Sequence, residues 1–227
     1  IYASGALGSI VGTFATGFIL ISWLGTHTIV WGVAVILLAL GLVFVLGNRW
    51  QPVLLSALVI TGGSMLTFGQ GWLRGPCTCE TDYFCIKVHE EEQDGGPVQV
   101  LILDRLVHSY TSLNDPTKLV YGYEQIYAEV TAYRVQRDNH LRAFFIGGGG
   151  YTFPRYLEVV YPGSDIHVVE IDPGVTQVAH ELLGLSRDTS IVTTNQDARL
   201  FLKQGATQPY DLILGDAFND FSVPYHL

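Results

Sequence analysis

The sequence predicts a chain of two kinds: α-helical transmembrane segments, then an α/β domain with a small β-region at its start and a parallel sheet behind it. Three observations carry that prediction. All 21 acidic residues lie beyond residue 75, as do all of the 12 basic ones except Arg49 and Arg74, so one part suits lipid and the other water. Long apolar runs fill the first part. In the second, one apolar strand runs into Gly147-Gly148-Gly149-Gly150, another ends in Glu170, and strands then alternate with helical patterns. The boundaries expected from this are 1–75 for two to three membrane helices, 76–120 for the β-region and 121–227 for the α/β sheet.

The apolar runs are roughly Ala3 to Leu24, Ile29 to Leu46 and Val53 to Leu73. At 1.5 Å per residue the first two can cross a hydrocarbon core of roughly 30 Å. The third contains Thr61, Gly62, Gly63, Ser64 and Gln70, which suits a tilted, packed or re-entrant helix. Gly8 and Gly12 form a G-x-x-x-G spacing that permits close helix contact, read here as packing with no particular partner. No basic stretch precedes the first run and further runs follow it, which argues against a cleaved signal peptide. Arg49 and Arg74 follow different runs, so the positive-inside bias leaves the side of the soluble part open. The chain starts at Ile1 and stops at Leu227 just past a strand; a segment of a longer membrane protein is expected, with more spans before it and more sheet after it.

Cys77, Cys79 and Cys85 open the soluble part. A disulfide from Cys77 or Cys79 to Cys85 would mean an oxidising compartment, and free thiols a reducing one. A zinc site would need His89 as fourth ligand, and no metal is expected.

From Glu80 the pattern has period two. Tyr83 to Val88 and Val98 to Leu103 read as a hairpin, with Glu90 to Gly96 as an acidic turn, and Val107 to Tyr110 as a further extended piece. Tyr121 to Arg134 has helical spacing, with Tyr123, Ile126, Tyr127 and Val130 on one face. Ala143 to Ile146 is a buried strand, after which Thr152 and Pro154 suit the N-cap and first turn of a helix. Ile166 to Ile171 is the second strand. Asp172 is read as the cap of a helix from Pro173 to Gly184, Ser190 to Thr194 as a third strand, Asp197 as the start of a helix through Lys203, and Tyr210 to Leu214 as a fourth strand.

This rhythm means a Rossmann-like parallel sheet with right-handed crossovers, whose ligand lies beyond the carboxyl ends of the strands. Gly147, Gly148, Gly149, Glu170, Asp197 and Asp216 all fall at that edge. Glu170, 20 residues past Gly150, suits the two ribose hydroxyls. The glycine spacing is not G-x-G-x-x-G, which disfavours a dinucleotide pyrophosphate and suits a methyltransferase-type sheet that holds an adenosyl sulfonium. An acidic soluble part without a basic stripe argues against nucleic acid. His108, His140, His167, His180 and His226 show no metal-ligand spacing.

Seven motifs in order, Tyr83-Phe84-Cys85-Ile86-Lys87-Val88, Leu101-Ile102-Leu103-Asp104, Tyr121-Gly122-Tyr123-Glu124, Ile146-Gly147-Gly148-Gly149, Val169-Glu170-Ile171-Asp172, Gln196-Asp197-Ala198 and Gly215-Asp216-Ala217, resemble the spermidine synthase (polyamine aminopropyltransferase) family. The attached apolar runs resemble its membrane-fused branch, which implies a multi-pass protein of a bacterial inner membrane. The resemblance implies transfer of an aminopropyl group from decarboxylated S-adenosylmethionine to a diamine such as putrescine, without a metal. It assigns Glu170 to the ribose, Asp197 to the adenine amino group, Asp216 to deprotonation of the attacking amine with Tyr123 beside it, and Asp220 to amine binding. A homodimer or a larger membrane assembly is also implied. The sequence departs from the family at three places: Gly150 stands where an aspartate contacts the donor's ammonium, Phe84 where a glutamine is expected, and Asp216 and Asp220 are four apart where three is usual. Gly150 would relieve repulsion of the carboxylate of S-adenosylmethionine itself, so a methyltransferase or other sulfonium chemistry is the enzymatic alternative. A catalytically silent domain of a membrane transporter or assembly is the alternative of another class.

Overall fold

The computed structural model describes residues 2–21, 24, 26–46, 76–93, 95–135, 140–205 and 208–217. The third apolar run and Asp220 lie outside the described residues. The chain divides into two compact units, Ile1–Cys77 and Thr78–Leu227.

In the first unit α1 (Tyr2–Ala15) continues as a π-helical turn over Thr16–Leu20. Among the described residues this 19-residue stretch is the one helix long and apolar enough to cross a membrane. Its apolar side chains, among them Leu7, Ile10, Val11 and Phe14, are exposed all round. The helix α2 (Thr26–Leu46) contains no charged residue.

The second unit starts with an antiparallel sheet of β1 (Cys79–Glu80), β2 (Cys85–Gln93), β3 (Gly96–Leu103) and β4 (Leu106–Thr111), in that order. The acidic stretch expected as a turn is instead the end of β2. Glu90, Glu91 and Glu92 pair with Gln99, Val98 and Pro97, and Glu90 accepts a hydrogen bond from Gln99 at 3.1 Å. The pairing satisfies backbone groups at alternate residues while the carboxylates stay in water, and the ladder runs on to the pair Gln93 and Gly96.

Helix α3 (Gly122–Arg134) leads to β5 (Arg142–Ile146), α4 (Thr152–Val160), β6 (Asp165–Glu170), α5 (Pro173–Leu182), β7 (Val192–Asn195), α6 (Ala198–Lys203) and β8 (Leu212–Gly215). The strands form a wholly parallel sheet in the order β7-β6-β5-β8, as the alternation predicts. A single hydrophobic cluster joins the two sheets: Ile86, Leu101 and Leu103 of the hairpin pack with Phe145, Leu157, Val168 and Val175. The β-region is thereby fixed over the carboxyl edge of the parallel sheet by apolar burial, roughly 25 cal/mol for each Å² removed from water.

Two helix starts contrast. Asp172 caps α5 as expected, its Oδ1 accepting from the Gly174 amide at 2.8 Å while Oδ2 accepts from the Thr81 hydroxyl at 2.6 Å. Thr152, however, is already helical, and the cap position of α4 belongs to Tyr151 in the left-handed region at φ 56°. A bulky residue there is strained unless its surroundings fix it. Tyr151 is fully buried and its hydroxyl meets those of Thr176 and Thr193 at 3.1 and 3.3 Å. Thr152 points elsewhere, to the hydroxyl of Thr111 at 2.6 Å.

Cys77 and Cys85 are disulfide-bonded and Cys79 is a free thiol. Burial first, then the charges of Asp172 and Glu181, push the Cys79 thiol up, so it is a poor nucleophile at neutral pH. Maleimide mass-labelling of the unreduced, denatured protein is expected to add one adduct, and three after reduction. Three adducts without reductant would show the bridge to be absent.

Candidate functional site

The carboxyl edge of the parallel sheet gathers the expected residues. At the end of β5, Gly147 has φ +91°, and a side chain there would run into the backbone of Asp216, whose carbonyl carbon lies 3.0 Å from the position of a Cβ. Glycine is what lets the β5 turn and the end of β8 touch. The amide of Asp216 donates to the Ile146 carbonyl at 2.8 Å, and that of Gly147 to the Val169 carbonyl at 2.8 Å, locking three strand ends together. Tyr151 lies against Gly148, with ring atoms 2.6 and 2.8 Å from where a Cβ would stand.

Glu170 closes β6 and is buried. Its Oε2 accepts from the Gly148 amide at 2.7 Å and Oε1 from the Asp172 amide at 2.9 Å, so the carboxylate is held rigidly and retains lone pairs for further donors. Burial raises its pKa, against the pull of those amides. Asp197 is half-buried and caps α6, its Oδ1 accepting from Arg199 and Leu200 amides at 2.7 and 3.3 Å. The family-implied contact to adenine would therefore use the other oxygen. Glu170, Asp197, Gly147, Gly149 and Asp216 line one cleft of about 240 Å³, with Tyr83, Phe84, Ile146 and Gln196 as walls. An apolar wall with a few convergent polar groups is what a nucleoside pocket requires.

Asp216 follows β8, and the hydroxyl of Tyr123 donates to its Oδ2 at 3.4 Å. Burial raises the Asp216 pKa, while the nearby His108 charge and the Tyr123 bond lower it. Burial, then the charge of Asp216, holds the Tyr123 hydroxyl well above the ordinary phenol range, so it remains a proton donor. A chain of rings positions it. Tyr110, Tyr121, Tyr123, Tyr127 and Phe153 follow one another with centroids 5.0, 5.3, 5.5 and 5.6 Å apart. Such edge-to-face and tilted pairs add about 0.5–1.5 kcal/mol each beyond area burial.

Of the expected residues, the structure brings together Gly147, Gly148, Gly149, Glu170, Asp197, Asp216 and Tyr123, while Asp220 lies outside the described residues. Sequence reasoning missed Glu124. It is 2% exposed, its Oε2 has no hydrogen-bond partner, and burial together with the charge of Asp216 pushes its pKa up to about 8. The signal that could have found it is its place directly after Tyr123. An acid in the first turn of a helix complements the helix dipole from an exposed position as well as from a buried one, so its place in the helix does not distinguish it.

No protein-family model matches the chain. A polyamine aminopropyltransferase of Vibrio vulnificus is 39% identical over 88 residues, 38% of this chain and 29% of the relative. A polyamine aminopropyltransferase of Corynebacterium efficiens is 28% identical over 239 residues, 94% of this chain and 44% of the relative, so the similarity extends well into the apolar unit. The crystal structure of a probable spermidine synthase from Corynebacterium glutamicum matches with a TM-score of 0.56 and 24% identity, covering 64% of this chain and 53% of that one, a likeness of fold. The chain spans less than half the length of the curated relatives it matches.

Proposed function

We propose, from the premise that this chain is related to the polyamine aminopropyltransferases and spermidine synthases, that its second unit binds decarboxylated S-adenosylmethionine and transfers the aminopropyl group to an amine such as putrescine. The observation that carries the reading is the pair Tyr123 and Asp216, hydrogen-bonded at the junction of the glycine turn and a cleft that also holds Glu170.

The donor supplies an electrophilic carbon beside a sulfonium. Asp216 takes a proton from the acceptor's ammonium, leaving a free amine. The nitrogen lone pair then forms a bond to the propyl carbon while the carbon–sulfur bond breaks, its electrons remaining on sulfur to give neutral methylthioadenosine. Tyr123 shares Asp216 and orients the attacking nitrogen. Glu170 receives the ribose hydroxyls, Asp197 the adenine amino group, and Asp220 the far end of the amine. Carboxylates suit this reaction because they offset two cations that must approach each other.

The helix over Tyr2–Leu20 supports a membrane-anchored form of such an enzyme, and the further apolar runs of the sequence are the ground for the multi-pass form in this proposal. The disulfide state of Cys77 and Cys85 supports a soluble unit on the oxidising side.

Gly150 favours a second reading, in which undecarboxylated S-adenosylmethionine is bound and a methyl group transferred. One experiment separates them. Purified protein is incubated with each sulfonium donor and putrescine, and products are identified by mass spectrometry. Methylthioadenosine and spermidine are expected. S-adenosylhomocysteine would replace this reading with methylation, and absence of turnover and of binding would support the catalytically silent alternative.

A further inference from the structure

We propose that Glu124 of α3 and Ser109 of β4 form the binding site for the donor's terminal primary ammonium, replacing the acid that position 150 lacks. The inference rests on the reading that the cleft holds an adenosyl sulfonium, and deepens it by naming what selects the decarboxylated donor.

A small cavity adjoins the cleft and shares Gly147 and Asp216 with it, and Ser109, Glu124 and Gly150 line it. Its volume of about 10 Å³ admits one group the size of a water molecule, which is also the size of an ammonium head. Glu124 and Ser109 are each 2% exposed, and Glu124 Oε2 and Ser109 Oγ are the two buried side-chain polar atoms without a hydrogen-bond partner among the described residues. Buried polar atoms are nearly always paired, so two orphans lining one cavity point to a missing partner. A primary ammonium has three donors and no acceptor, matching a carboxylate oxygen and a hydroxyl lone pair.

Charge points the same way. Burial, then the nearby charge of Asp216, disfavours ionisation of Glu124. A cation bound beside the two carboxylates offsets that charge. The other side chains that line the cavity, among them the phenols Tyr123 and Tyr127, carry no positive charge, and His108, near Asp216, is part of the adjoining cleft's lining.

Gly150 shows why the acid has moved. A Cβ there would stand 2.6 Å from Ser109 Cβ and 2.9 Å from Thr111 Oγ1, in actual overlap with the Ser109 hydroxyl. The β4 strand occupies the space that an aspartate at 150 would need, and the carboxylate enters the cavity from helix α3. S-adenosylmethionine would bring its own carboxylate toward Glu124 and be repelled.

The test is equilibrium binding to the full chain of three ligands: decarboxylated S-adenosylmethionine, S-adenosylmethionine, and methylthioadenosine, which lacks the propylammonium. Glu124→Gln is expected to weaken the decarboxylated donor by about 30-fold or more, to shrink its advantage over S-adenosylmethionine, and to leave methylthioadenosine within about threefold. Ser109→Ala should show the same pattern at smaller size. Equal weakening of all three ligands, or of none, by Glu124→Gln overturns the ammonium assignment. Failure of the unaltered chain to bind any of them overturns the adenosyl reading beneath it and the ammonium assignment with it.

Discussion

Asp216→Asn is expected to lower kcat for aminopropyl transfer by about 10²- to 10⁴-fold, the usual worth of a positioned general base. The substitution keeps the shape of the side chain and the Tyr123 contact but removes the proton acceptor. Asp216 is placed by the backbone, through its amide bond to Ile146 and its contact with Gly147, so the variant retains the site's geometry. Methylthioadenosine binding should stay within about threefold, which separates a lost base from a collapsed pocket. Because burial raises the Asp216 pKa, kcat/KM of the unaltered enzyme should rise with pH through that pKa and level off above it, and this limb should vanish in the variant. Loss of the Asp216 charge should also ease ionisation of Glu124, lowering its pKa from about 8. Activity within threefold of the unaltered enzyme would sink the assignment of Asp216 as the base.

Gly150→Asp, which restores the residue typical of the resembling family, is expected to disrupt the fold and not to improve donor binding. The new side chain has no room, since its first carbon would overlap the Ser109 hydroxyl and press on Thr111. Overpacking costs about 1–3 kcal/mol. A carboxylate forced in beside buried Glu124 and Asp216 adds a desolvation penalty and like-charge repulsion. A loss above about 3 kcal/mol corresponds to a fall in the thermal midpoint of roughly 6–12 °C for a chain of this size. Thermal unfolding of the variant followed by circular dichroism checks this. The double variant Ser109→Gly, Gly150→Asp should recover a good part of the loss by emptying the space. A Gly150→Asp protein as stable as the parent would show that β4 yields easily, and would remove the steric reason given for the displaced acid.

Much of the fold was legible because its signals are local. Apolar strands of four to six residues, turn glycines and capping acids repeat along the chain, and each alternation of strand and helix forces a parallel neighbour. The acids at the carboxyl edge were legible for the same reason, since Glu170 and Asp216 directly follow apolar strands. Tyr123 was placed beside Asp216 only through the family resemblance, because 93 residues separate the two and no local pattern links them.

What the sequence determined by itself is therefore the order of strands and helices, the charge division between lipid-suited and water-suited parts, and the gathering of acids at one sheet edge. The tertiary structure decided the rest. It made Glu90, Glu91 and Glu92 part of a strand by giving them partners on β3, and put Tyr151 in a left-handed conformation held by Thr176 and Thr193. It left Cys79 a free thiol while Cys77 and Cys85 are disulfide-bonded. Most of all, it turned Glu124 from a first-turn acid into a buried carboxylate whose Oε2 has no hydrogen-bond partner, and closed Gly150 to any side chain. Both follow from β4 and β8 arriving at the same point in space, and burial of a charge depends on such distant neighbours, which no window of adjacent residues contains.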